Sequence, residues 1–204
     1  MRRSTGTYAT TTTLGEPVRA FVPRPLPPAE PALAPSCFVD LNRQAELALA
    51  RLTGVAGLVP SVEWLLYSAI RKEALLTSQI EGTQATLTDL FDEEAGLKVG
   101  NTDDVEEVTN YLRAFRWVQG QLRDQQGLPI SVRLLCEAHR LLLDGARGAG
   151  KRPGELRRSQ NWIGGTRPGN AAFVPPPPQV VADLLTDLER FIHTRDSDLP
   201  PLVR

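Results

Sequence analysis

The stretch Pro60-Ser61-Val62-Glu63-Trp64-Leu65-Leu66-Tyr67-Ser68-Ala69-Ile70 opens a long helical pattern. Val62, Leu65, Leu66, Ala69 and Ile70 recur at intervals of three and four, the spacing of one helix face. Ile80 continues the face, and Gly82 is placed to stop the helix in a left-handed turn. On either side the periodicity stays helical. Upstream, Asp40 can cap a helix carrying Leu41, Ala45, Ala48 and Leu52, with Gly54 and Gly57 as its stop. Downstream, Asp103 and Glu106 have capping-box spacing ahead of Val105, Val108, Leu112, Phe115 and Leu122. A further helix is expected from about Pro129 to Asp144, with Ile130, Leu134, Leu135, Ala138, Leu141 and Leu142 inward and Gly145 as its end. Another carries Val181, Leu184, Leu185, Leu188 and Ile192. The fold class is therefore all-α, a helical bundle interrupted between residues 145 and 178. There glycines, prolines and basic side chains surround Phe173-Val174, the one strand-like pair.

The first 36 residues differ in kind. A threonine run, Thr10 to Thr13, precedes seven prolines from Pro17 to Pro35. Proline fixes φ and lacks a donor, which argues against a helix or a central strand. An extended arm anchored by Phe21, Val22 and Leu26 and a free polyproline linker stand as alternatives. At the other end, Asp198-Leu199-Pro200-Pro201-Leu202-Val203-Arg204 reads as the start of a helix. One turn cannot hold itself together, so the expectation is a chain cut before an element its fold requires.

Composition narrows the function. With 204 residues, 23 basic against 24 acidic side chains and a net charge of −1, the chain lacks the basic field that bulk nucleic acid or a membrane surface demands. Two cysteines, Cys37 and Cys136, make no disulfide scaffold, and with His139 and His193 they make no metal site. No apolar run approaches a membrane span, and no signal peptide opens the chain. A cytoplasmic protein is expected.

Three stretches could carry chemistry. Gly145-Ala146-Arg147-Gly148-Ala149-Gly150-Lys151 has P-loop spacing, but a helix precedes it and Arg152-Pro153 follows where a hydroxyl is needed, so a flexible loop is the better reading. Thr77-Ser78-Gln79-Ile80-Glu81-Gly82 ends the long helix with a carboxylate against the negative end of the helix dipole. Glu81 is either a solvated residue before a glycine cap or a carboxylate aimed at a cationic partner. Arg147, Lys151, Arg152, Arg157 and Arg158 form a local basic run suited to phosphate or simply solvated. His139 lies on a helix among leucines and is expected to be half-buried and structural.

Together these residues resemble the Fic/DOC family, in its members with an N-terminal segment before the Fic core. Thr77 to Gly82 fits that family's inhibitory pattern [S/T]-x-x-x-E-[G/N], and Leu87-Thr88-Asp89-Leu90-Phe91 follows in order. Gly154-x-x-Arg157, Trp162-Ile163-Gly164 and Phe173-Val174-Pro175-Pro176 resemble the segment ending in the family's flap hairpin. The likeness covers roughly residues 20–204. It implies a division into an arm (1–36), an N-terminal helical segment with the inhibitory helix (37–126) and the beginning of a Fic core with its flap (127–204). The implied fold is a Fic-like helical bundle with a small β-hairpin flap, incomplete at the C-terminus.

The resemblance also implies a reaction, transfer of AMP from MgATP to a Tyr, Thr or Ser hydroxyl of a target protein or of the protein itself. Glu81, with Thr77 and Gly82, would restrain ATP. Asn170, Ala171, Ala172, Phe173 and Val174 would line the nucleotide site and receive the target's backbone. The family's catalytic H-P-F-x-x-G-N-G-R motif is absent: Arg140 follows His139 and Thr194 follows His193. No catalytic and no metal-binding residue is therefore assigned. ATP and Mg belong to a full-length parent, and this chain is expected to be inactive alone. A stand-alone module that inhibits a separate Fic protein is the alternative, and a nucleic-acid-binding fragment a weaker one. Homo-oligomerisation is open.

Overall fold

The computed structural model describes residues 5–27, 33–80, 82–145, 150, 152–194 and 199–203. In chain order they form β1 (Gly6–Thr13), β2 (Glu16–Pro23), α1 (Val39–Ala56), α2 (Val62–Ile80), α3 (Leu87–Glu94), α4 (Thr102–Arg123), α5 (Val132–Leu142) and α6 (Pro178–His193). Two compact units emerge, one of residues 51–155 and one of residues 1–50 with 156–204. The described residues are mostly helical, as expected, and the two strands among them lie near the N-terminus.

In the unit of residues 51–155 the core is formed by Ala74 and Leu75 of α2, Ala85, Leu90 of α3, and Val105, Val108 and Leu112 of α4. The apolar face expected for α2 is displaced. Val62, Leu65, Leu66 and Ile80 are exposed, and burial falls on Arg71, Ala74 and Leu75. Periodicity marked an apolar side of the helix, but only its second half meets α3 and α4. The α4 face is as expected at Val105, Val108 and Leu112, while Phe115 and Leu122 are exposed. The capping box expected at Asp103 and Glu106 does not form, because the N-cap is Asn101. α5 begins after Ser131, whose hydroxyl accepts the Leu134 N–H, and of its expected inward residues Ile130 and Leu135 are exposed. α4 and α5 are joined where Asn110 Nδ2 donates to the Asp144 carbonyl at 2.6 Å and Arg113 pairs with Asp144 at 2.8 Å.

α1 runs through Gly54 and carries no buried side chain. Asp40 lies in its first turn, after a 3-10 turn at Pro35–Cys37, and does not cap it.

In the other unit, the expected arm is folded on itself. β1 and β2 pair antiparallel from Gly6 opposite Pro23 to Thr13 opposite Glu16. Leu14 and Gly15 turn between them at φ 50° and 81°, the double positive φ of a type I′ hairpin turn, whose twist suits antiparallel strands. The threonine run thus serves as β-branched strand residues. Val18 and Ala20 on the inner face cluster with Val174, against Trp162 and Ala171. Two of the three expected anchors are identifiable. Phe21 packs on Phe173 at 6.0 Å between centroids and donates its N–H to the Val174 carbonyl at 2.8 Å. Leu26 faces Leu184, Leu185 and Leu188 of α6 across a cavity of about 470 Å³. At the far end, the Val203 N–H bonds the Pro200 carbonyl at 2.9 Å, a single turn, with Asp198 and Arg204 outside the described residues.

Candidate functional site

α2 ends as its sequence suggests. Gly82 takes φ +98°, its N–H donates to the Gln79 carbonyl at 3.1 Å, and the Thr83 N–H donates to the Ser78 carbonyl at 3.1 Å. This pair of bonds is a Schellman closure, which satisfies carbonyls that a helix end otherwise leaves open. Half-buried Thr77 donates its hydroxyl back to Glu73 at 3.4 Å. Glu81 lies outside the described residues.

The segment that follows is pinned by three further devices. Thr83 and Ala85 are buried, and the Gln84 N–H donates to Asp104 Oδ2 at 2.6 Å. Buried Asp104 also accepts from Asn101 Nδ2 at 2.6 Å. Thr86 caps α3 in a reciprocal box with Asp89, whose carboxyl is held below its ordinary range by those Thr86 hydrogen bonds.

The third device is a polar cluster. Arg71, only 2% exposed, pairs with Glu94 of α3 and lies over the Tyr67 ring, 3.3 Å from its centroid. The Tyr67 hydroxyl donates to Glu94 at 2.9 Å, and Arg116 of α4 approaches the same carboxylate at 3.8 Å. Burial alone would push the Glu94 carboxyl up, but the hydrogen bonds from Arg71 and Tyr67 outweigh it and hold it low. The Tyr67 phenol is pushed up by burial and by its bond to Glu94. Sequence reading missed this cluster. Arg71 sits at i+4 from Tyr67 on α2, but its partner Glu94 lies 23 residues away, and helical spacing cannot find such a pair.

The flap residues lie in the other unit. The expected hairpin is one antiparallel bridge: Ile163 and Phe173 exchange N–H to carbonyl bonds of 2.8 and 3.1 Å. The loop between them turns on Gly164 and Gly165, both at positive φ, and on Asn170, whose Oδ1 accepts the N–H groups of Thr166 and Arg167 at 3.1 and 3.0 Å. Two consecutive glycines and a 3-10 turn at Pro168–Asn170 leave no room for a ladder. Ala172 and Phe173 are exposed, Ala171 is half-buried, and Val174 is buried with its carbonyl on Phe21. Arg167 anchors the loop to Glu16 of β2 at 2.5 Å. Arg157 donates to the Pro176 carbonyl and to the Ser159 carbonyl at 3.1 Å, and burial lowers its pKa. It pins the base of the segment expected to be the flap.

His139 is exposed, not half-buried, yet structural: its Nδ1 accepts the Gly154 N–H at 3.0 Å. Arg152 pairs with Glu155 at 3.1 Å, while Arg147, Lys151 and residues 146–149 of the P-loop-like stretch lie outside the described residues. Among the described residues no group of three His, Cys, Asp or Glu could hold a metal ion, and no helix is long and apolar enough to cross a membrane.

Residues 39–119, from α1 through most of α4, match the family model described as the Fic/DOC family N-terminal. No curated protein matches the chain. The matched span contains the α2 terminus with Thr77 and Gly82. Over residues 39–119 the chain is thus similar to the N-terminal segment of the Fic/DOC family.

Proposed function

We propose that this chain is the N-terminal part of an autoinhibited Fic-type protein adenylyltransferase, with Glu81 as its brake. One observation carries the reading. The Thr77–Gly82 pattern falls inside the matched span, at the end of a helix closed on a glycine at positive φ and pinned through Asp104 and Thr86. A carboxylate restrains an arginine best from a backbone that does not move, since an ordered donor–acceptor pair loses little conformational entropy on engagement.

In this reading AMP passes from ATP to a protein hydroxyl, and the flap, Asn170 to Val174, borders the nucleotide and the target. ATP and magnesium enter with an H-P-F-x-x-G-N-G-R segment, which this chain does not contain. In this reading the chain itself contributes restraint and substrate positioning.

The test uses the product of the complete gene. Glu81→Gly is expected to raise self-labelling from α-labelled ATP by on the order of tenfold, the loss of one charge-assisted pair. The 204-residue chain alone is expected to label nothing. Unchanged labelling in the Glu81→Gly protein overturns the brake, and labelling by the isolated chain overturns the dependence on the motif.

A further inference from the structure

The two edges of the N-terminal hairpin are not alike. Across a two-residue type I′ turn the flanking pair, Thr13 and Glu16, exchanges N–H and carbonyl bonds, and along antiparallel strands bonded and non-bonded pairs alternate. Thr13, Thr11, Ala9 and Thr7 therefore turn their backbone groups toward β2. Thr12, Thr10 and Tyr8 turn theirs outward. Three observations agree with this phase. The Arg24 N–H donates to the Thr5 carbonyl at 3.0 Å, which is the next bonded pair beyond Thr7 and Val22. Pro17 and Pro23, which have no N–H to give, fall at non-bonded pairs. The Phe21 N–H, at another such pair, points away from β1 and reaches the Val174 carbonyl at 2.8 Å.

The outer edge of β2 is thus largely closed, with prolines at Pro17 and Pro23 and Val174 on Phe21. The outer edge of β1 is open. Among the described residues, no bond is formed on that side by the backbone of Tyr8, Thr10 or Thr12, and all three residues are exposed. Proteins commonly guard such an edge with charges, prolines or bulges. β1 has none of these. Gly6-Thr7-Tyr8-Ala9-Thr10-Thr11-Thr12-Thr13 is uncharged, and its register against β2 runs unbroken over all 8 residues.

We propose that this edge pairs with the same edge of a second copy of the chain, antiparallel about a two-fold axis beside Thr10. Charge and register single out that occupant. An uncharged strand meets no like charge when it faces itself. With Thr10 opposite Thr10 of the second copy, Tyr8 falls opposite Thr12 and Thr12 opposite Tyr8, so each open backbone meets an open backbone. The facing threonines are a pair of the kind that stabilises neighbouring strands. Because the β2 edge is closed, a sheet in the order β2, β1, β1, β2 offers no further edge of this kind, and assembly stops at two copies. This surface goes beyond the Glu81 reading and involves none of its residues.

The test is sedimentation of the 204-residue chain between about 5 and 500 μM. A monomer–dimer equilibrium is expected, with Kd on the order of 100 μM or tighter, as suits a small interface. Thr10→Pro removes an outward N–H and no bond within the hairpin, since Thr10 and Arg19 are a non-bonded pair. Thr10→Lys keeps that N–H and sets two ammonium groups across the axis. Each is expected to weaken self-association about tenfold or more. Should Thr10→Pro not fold, Thr10→Lys decides. Leu52→Lys, at an exposed apolar position of α1, leaves the dimer unchanged. A chain that stays monomeric throughout overturns the proposal. So does a dimer that survives Thr10→Lys, one that Leu52→Lys dissolves instead, or growth beyond two copies.

Discussion

The α2 terminus and the expected flap differ in how much core lies beneath them. The α2 terminus is held by a core and by side chains that reach across the chain: Leu90 and Ala85 are buried beneath it, Asp104 grips Gln84, and Arg71 grips Glu94. The expected flap has only a small cluster beneath Val174 and is held by the Ile163–Phe173 bridge, the Val174 carbonyl on Phe21, and the side chains of Arg157 on the Pro176 carbonyl and Arg167 on Glu16. The first arrangement fixes one geometry. The second leaves Phe173 and the loop before it at the surface, fit for contact with something else. The proposed roles, a restraint and a substrate clamp, would call for that difference, and it can be broken by measurement.

The largest effect is expected from Leu90→Ala. Leu90 is 1% exposed at the centre of the α2–α4 core, and the substitution should destabilise the unit of residues 51–155 by about 3 kcal/mol. Val174→Ala removes less apolar volume from a smaller cluster and should cost about half as much in the other unit. Peptide-resolved hydrogen exchange reads both. If Leu90→Ala lowers protection of the β1–β2 hairpin as much as that of α2–α4, the units unfold as one body and the contrast between them falls.

Arg71→Met comes next, at about 2 kcal/mol. It removes the cation–π contact and strands Glu94, but that carboxylate is one-third exposed and water partly replaces its partner. The pH dependence sharpens the point. Glu94 titrates below its ordinary value when folded, so its contribution is complete above the ordinary carboxylate range and is lost as pH falls through the depressed value. Tyr67 titrates above its ordinary value, so its contribution is complete below the ordinary phenol range and is lost as pH rises through the raised one. Urea midpoints against pH should therefore fall at both ends, with a flatter acid limb in Arg71→Met. An unchanged acid limb would show that Arg71 does not set the Glu94 titration.

Much of this was legible in the residues. Val105, Val108 and Leu112 lie three and four apart and are buried, and Gly82 closes α2. What escaped was set by contacts distant in sequence. Thr10 to Thr13 and the prolines of β2 read as an arm: the prolines outweighed the local hairpin signal of Leu14-Gly15 between Thr13 and Glu16, and nothing local says that Val174 meets Phe21. The α2 stripe was drawn from its first half, but burial follows the partner helices, and those meet the second half around Arg71, Ala74 and Leu75. A short helix such as α3, eight residues from Leu87, offers too few turns for periodicity to speak.

Glycine substitutions separate the two ends again. At Gly165 an added Cβ would stand 2.5 Å from the Asn170 carbonyl at a φ of +73°, so the flap loop must move. At Gly82 the same atom meets open space, and only the positive φ opposes it, about 1 kcal/mol. Gly165→Ala is expected to release the Asn170 cap and raise exchange at Thr166 and Arg167, with α2 untouched. Gly82→Ala is expected to fray only the last turn of α2. A Gly82→Ala protein as perturbed as Gly165→Ala would mean that the α2 terminus is as crowded as the flap.

The smallest effect tests the α2 end through its neighbour. Thr86→Ala removes the hydroxyl that accepts the Asp89 N–H at 3.2 Å, and loss of such a cap costs about 1 kcal/mol. Leu90 follows Asp89 directly on the same short helix, and the Gln84 N–H two residues before Thr86 is held by Asp104. Fraying should therefore spread along α3 while the Gln84 amide stays protected. If protection at Gln84 falls together with that of α3, the cap and Asp104 act as one support for the α2 terminus, and neither alone fixes the residues after Gly82.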